Sequence, residues 1–295
     1  MKGIISESAV KNNSQRKAIR KFGLIFFAPT VIPFAVGFVW PFIWGLYLSF
    51  FRFRTLKNVK FIGLENYIDA FTDPSFLKSF LFTTAFTVTS VIVINVIAFL
   101  IAFFLVGNLR GSNIFRTIFF MPNLIGGIVL GYLWKIIIDA VLVKFFDSAL
   151  ALDSKFGFIG LVVLVSWQQI GYMMIIYIAG LQNVSDELIE AAKIDGANGF
   201  ALLKNITIPS VMPSITICTF LSLTNGFKLF DQNLALTGGK PFGETEMLAL
   251  NIYNSFYEST TNMGIGQAKA VIFFIVVVII ALSQLYLTRS REASA

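Results

Sequence analysis

The sequence predicts an all-α membrane protein with about six transmembrane helices, and three observations carry that prediction. Of its 295 residues 56% are hydrophobic and only 13% charged, and the mean hydropathy of +0.78 lies far from that of a water-soluble domain. The apolar runs are long and continuous. A helix must place roughly 20 apolar residues across the hydrocarbon, where lipid cannot satisfy backbone N–H and C=O groups. The segments of about ten residues alternating apolar and polar that a membrane barrel would need are missing.

In chain order, residues 1–21 form a basic tail with Lys2, Lys11, Arg16, Lys17, Arg20 and Lys21. The apolar run 22–51 follows; it is too long for the h-region of a cleaved signal peptide, so a retained first span is expected. Its Pro29, Pro33 and Pro41 predict a kinked or split helix. Further spans are expected over 80–106, 115–138, 158–181, 209–230 and 263–287, with a polar loop over 182–208. One membrane domain, 22–288, then ends in a short tail, 289–295. Tyr132 and Trp134 suit an interfacial belt. Lys269, inside the last span, is expected to snorkel or to face a cavity wall.

An even number of spans puts both termini on one side. Lys and Arg divide almost evenly between the two faces, with a slight excess on the side of the termini, which favours a cytoplasmic location for both. The net charge of +7 gathers at the edges of apolar segments, where it anchors to lipid headgroups; a nucleic-acid partner is not expected. The chain has no histidine, which removes Ser-His-Asp and Cys-His nucleophile systems and His-bearing zinc sites. Cys218 is the sole cysteine and lies in an apolar stretch. No catalytic, metal or cofactor site is expected in this chain.

The loop after the fourth span is too long for a turn and has a helical pattern of its own. Ser185 suits an N-cap, and Asp186 and Glu187 complement the positive end of a helix dipole. Leu188, Ala191, Ala192 and Asp195 fall at i, i+3, i+4 and i+7, and Gly196 and Gly199 end or bend the helix. Such a face fits docking into a partner's cleft, or a plain interfacial connector.

Glu190-Ala191-Ala192, then Asp195-Gly196-Ala197, Ile206 and Pro209, resembles the EAA loop of ABC importer permeases of the multiple-sugar, maltose-type and glycerol-phosphate-type systems. Further stretches resemble the family in the same order: Phe61-Ile62-Gly63-Leu64-Glu65-Asn66-Tyr67, Leu109-Arg110-Gly111 through Pro122, Leu236-Thr237-Gly238-Gly239-Lys240-Pro241, and Glu244 through Leu250. Val184-Ser185 stands where the family commonly has Ile-Pro, and Lys228 and Asp231 stand outside the motifs that carry the likeness.

The resemblance implies the type I importer permease fold, with a cytoplasmic coupling helix between helices four and five. Glu190, Ala191, Ala192, Asp195, Gly196 and Ala197 would seat it in a groove of a separate ATPase. The implied partners are a second homologous permease subunit, two copies of a cytoplasmic ABC ATPase, an extracellular solute-binding protein and the lipid bilayer. No Walker motif occurs, since the only Gly-Lys, Gly239-Lys240, is followed by Pro241, so ATP and Mg would be held by the ATPase. The implied cargo is a carbohydrate, with glycerol phosphate or another polar solute as an alternative. Gln168, Gln169 and Tyr172 in span four, with Ser222, Thr224 and Asn225 in span five, are the residues expected along its path; interhelical hydrogen bonding is the competing role for each. An ion-coupled secondary transporter would need its own mid-span acids, and none of the Asp and Glu residues lies clearly there.

Overall fold

The computed structural model describes residues 23, 27–55, 57–107, 111–257 and 262–292. The basic tail 1–21, Leu109, Arg110 and the last residues of the C-terminal tail lie outside them. The chain begins with α1, Phe27–Leu48. Pro41 has no N–H to give to a turn, and just before it Ala35–Val39 widens into a π-turn closed by the Trp40 N–H on Ala35 O. The wide turn absorbs the proline and leaves the helix continuous.

A short antiparallel hairpin follows, β1 Phe51–Phe53 on β2 Val59–Phe61, then α2, Glu65–Thr72. The 33-residue α3, Pro74–Val106, starts on Asp73, whose carboxylate accepts the Ser75 N–H, with Pro74 as its first residue. Next come α4, Ser112–Leu124, and α5, Gly127–Phe146. Asp153 caps α6, Ser154–Leu181, by accepting from the Lys155 N–H at 2.8 Å. The polar loop carries α7, Asp186–Ile194, and α8, Gly199–Ser210. After them lie α9, Met212–Phe227, α10, Asp231–Leu236, α11, Leu248–Tyr257, and α12, Gly264–Glu292.

Four helices, α1, α3, α6 and α12, are each long and apolar enough to cross a membrane, and counting the bent pairs α4–α5 and α8–α9 as one span each gives six. The third span was expected as one helix over 115–138. Instead α4 and α5 meet at 100°. Pro122 withholds an N–H from a closing 3-10 turn, and Ile125 and Gly126 are extended, at ψ 133° and 140°. At the fifth span, α8 and α9 meet at 69° beside Pro209 and Pro213.

The core lies where α3 crosses α6 and receives α9. Phe86, Ile94 and Ala98 pack with Leu161, Leu164, Met173, Met174 and Tyr177, and with Cys218 from α9. Gly171 makes one approach possible, because a Cβ there would strike the carbonyl of Phe119 in α4. In α6 56% of the apolar window is buried within the chain; in α1 only 6% is. A helix apolar on every side suits lipid or another membrane subunit.

One end of the bundle is clamped by polar contacts. Asn66, fully buried, donates to Ser49 O at 2.8 Å and Phe51 O at 2.9 Å and accepts from Asn262 at 2.8 Å, which ties the hairpin to the start of α12. Lys269 was expected to snorkel or face a cavity wall. It does neither. At 2% exposure its ammonium donates to Asp73 Oδ2 at 2.7 Å, Ser255 Oγ at 2.7 Å and Asn251 Oδ1 at 3.0 Å, joining α12 and α11 to the start of α3. A snorkelling lysine needs a path to water; this one finds three acceptors at hand.

Candidate functional site

The break between α4 and α5 opens a polar cleft. Leaving the helical region at Ile125 frees a backbone carbonyl, and at membrane depth such backbone persists only where protein or a wet cavity satisfies it. Gln168, midway along α6, does so: its Nε2 donates to Ile125 O at 3.1 Å, and its Oε1 accepts from Gln232 Nε2 at 2.7 Å. The cleft has a volume of about 350 Å³ and is lined by Asn123, Gln168, Gln169, Asn225, Lys228 and residues 229–232.

Gln168 and Gln169 are buried as residues, while Asn225, Lys228 and Asp231 stand exposed at its surface. The Asn225 amide reaches Gln169 Oε1 only at 3.5 Å, the outer limit of a hydrogen bond. Both side chains therefore retain most of their capacity for a ligand.

Two glycines bring the far wall close. A Cβ at Gly127 would lie 2.8 Å from Asp231 Cβ, and one at Gly131 would lie 2.7 Å from Ala235 Cβ. This Gly-x-x-x-Gly pattern lets α10 lie against α5, and so carries Asp231 and Gln232 to the cleft. It is the sequence signal for the close packing that brings Asp231 and Gln232 to the cleft; neither they nor Asn123 were anticipated as site residues.

Of the residues expected along a path, Gln168, Gln169 and Asn225 share this cleft. The other three do not line it. Ser222 Oγ donates to Cys218 O at 2.6 Å and accepts from Asn95 at 3.1 Å, within a network that Tyr177 joins through Asn95 Oδ1. Thr224 bonds back to Phe220 O at 2.9 Å, and Tyr172 packs against the apolar core. Hydroxyls on a helix have their own carbonyls within reach four residues back, which the spacing of polar residues alone does not reveal.

At the opposite end from the hairpin, α7 stands away from the bundle. Ser185 occupies its N-cap but makes no capping bond with its side chain. Its C-terminus is closed more firmly. Gly196 has φ +83°, its N–H donates to Lys193 O at 3.1 Å, and the Ala197 N–H donates to Ala192 O at 2.9 Å, the paired bonds of a left-handed helix stop. Glu190, Ala191, Asp195 and Gly196 are exposed, Ala192 and Ala197 half-buried. Leu188, Ile194 and Phe200 are 54%, 86% and 73% exposed.

Residues 94–292 match the model of the family described as binding-protein-dependent transport system inner membrane component. The probable starch degradation products transport system permease protein AmyD of Thermoanaerobacterium thermosulfurigenes is 41% identical, over 91% of this chain and 94% of that one. The multiple sugar-binding transport system permease protein MsmF of Streptococcus mutans is 30% identical over 94% and 99%. Among solved structures, a bacterial ABC transporter involved in the import of the acidic polysaccharide alginate matches with a TM-score of 0.78 at 18% identity, over 94% of this chain and 99% of that one. With the broken spans, the cleft and the loop helix they enclose, these matches place the chain in the family of binding-protein-dependent transport system inner membrane components, the multi-pass permease subunits of ABC importers.

Proposed function

We propose that this chain moves a neutral carbohydrate, an oligosaccharide of the kind released from starch, across the cytoplasmic membrane, with both termini inside the cell. The observation that carries the coupling half of the reading is α7. α7 stands off the bundle and leaves Leu188 and Ile194 uncovered by the rest of the chain, which suits a helix that another protein surface covers. The occupant we assign is a separate ATPase, which holds the ATP and Mg. Closure of two such ATPases would push α7 and rock this subunit against a second, homologous permease between inward-facing and outward-facing arrangements. An extracellular solute-binding protein would deliver the cargo. Support for a sugar comes from the amide-lined cleft, since carboxamides donate and accept at once, as hydroxyls require, and from the names of the sugar-importing relatives.

The test is at Gly196. Within this chain its Cβ position is open space, so the fold itself has room for a side chain, but φ +83° is costly for a β-branched one. Gly196→Val is expected to leave the protein inserted while ATPase stimulation falls at least tenfold; Gly196→Asn, which tolerates this conformation, should retain most of it. Intact co-purification and full stimulation with Gly196→Val would end the coupling assignment.

A further inference from the structure

Two residues lining the cleft are charged. Lys228 closes the C-terminus of α9 and Asp231 opens α10. Both line the polar cleft and both are exposed to it. Among the described residues neither forms an ion pair; the pairs that do form are Arg52–Glu65 and Lys269–Asp73. A lysine at a helix C-terminus is favourably placed for electrostatic reasons, and that suffices to explain why Lys228 is tolerated. It does not explain why two opposite charges, three positions apart, both line the cleft that Gln168 and Gln169 line and form no ion pair with each other.

Resting on the reading of the chain as a sugar permease, we propose that Lys228 and Asp231 select the charge of the cargo. Lysine offers only donors and aspartate only acceptors. Together they present a cleft of zero formal charge, with strong charge-assisted partners for the hydroxyls of an uncharged saccharide. A saccharide bearing a carboxylate meets attraction from Lys228 and repulsion from Asp231, and gains nothing to offset its dehydration. Neutralising either residue unbalances the cleft. Without Asp231 the lone ammonium favours an anion; without Lys228 the lone carboxylate rejects one. A single uncompensated charge within a few ångströms alters relative affinity by roughly tenfold in a partly wet site.

The experiment uses the assembled importer in nanodiscs, without its solute-binding protein so that selection upstream does not mask the cleft. Equilibrium dialysis measures binding of radiolabelled maltotriose and of maltotrionate, the same saccharide oxidised to a carboxylate at its reducing end, at low ionic strength. Asp231→Asn is expected to move the ratio of maltotrionate to maltotriose affinity up by about tenfold, and Lys228→Gln to move it down by about as much. The double variant, again uncharged, should return the wild-type ratio, which loss of packing would not do. An unchanged ratio in all variants, or no binding of either saccharide to wild type, overturns the proposal. ATP-dependent uptake by the wild-type importer in proteoliposomes, with its solute-binding protein supplied, is measured beside it. Uptake without a charge effect sinks the selector alone, whereas absence of ATP-dependent uptake sinks the permease reading.

Discussion

Lys269 shows how a buried charge is accommodated. Each of its three N–H donors has an acceptor, and the Phe76 ring lies 5.4 Å from the ammonium. Burial pushes the Asp73 carboxyl upward, but hydrogen bonds from Lys269 and Ser75 and the Lys269 charge outweigh it and hold the group below its ordinary value of 3.8. A depressed carboxyl pKa stabilises the fold above the ordinary value, and that contribution disappears as pH falls through the depressed one. Lys269→Met leaves Asp73 without its cation, with only the Ser75 N–H and hydroxyl still donating to it. It is expected to cost up to about 3 kcal/mol at pH 7, below the full penalty of a buried pair because Asp73 keeps partial access to water. Asp73→Asn with Lys269→Met should cost less than Lys269→Met alone. Thermal unfolding in detergent at pH 7 checks both. Below the usual aspartate range, the gap between wild type and Lys269→Met should narrow; a gap independent of pH would show that packing, not the pair, is lost.

At the level of elements, hydropathy made the long helices readable, because spanning lipid requires an apolar run of fixed length whatever the tertiary contacts. The break at Ile125 was not readable from that signal. An apolar run stays apolar whether it is straight or bent, and only Pro122 with Gly126 and Gly127 marks the place. The hairpin was missed as well: its strands are three residues each, held by Asn66 from α2 rather than by their own pattern. The cleft was legible in part. Gln168, Gln169 and Asn225 announced themselves as amides within apolar helices, whereas Asp231 and Gln232 come from a short helix whose position depends on α5. That dependence can be measured. Gly131→Ala would set a Cβ 2.7 Å from Ala235 Cβ and 3.2 Å from Gln232 O, so α10 must move. At Gly126 a Cβ meets nothing within 4 Å, and φ is an ordinary −60°. Gly131→Ala is expected to lose about 1–3 kcal/mol of stability together with saccharide binding, and Gly126→Ala to be near neutral in both. Equal behaviour of the two would mean that α10 does not depend on this contact.

Across the whole molecule, the hairpin, the Lys269 clamp and the loop after α10 occupy one end, α7 the other, and the cleft lies midway along α6 between them. The proposed rocking would use that arrangement, with α7 receiving force at one face, the cleft holding cargo near the centre, and a cross-linked cap at the far face so that displacement at α7 turns the helices instead of bending them. The chain carries a means of testing its own orientation. Cys218, its sole cysteine, is fully buried, so a membrane-impermeant maleimide should leave the native protein unlabelled. Ile194, 86% exposed at the end of α7, and Phe242, fully exposed at the tip of the loop after α10, mark the two faces. With Ile194→Cys, labelling is expected only when the reagent reaches the cytoplasmic side, in inverted vesicles; with Phe242→Cys, only in intact cells stripped of any outer envelope. With the permease expressed without its ATPase each site is open to solvent, so near-complete modification on one side and almost none on the other is the expected contrast. Labelling of Ile194→Cys from outside would place α7 where no ATPase exists, and the rocking scheme would then have no source of work.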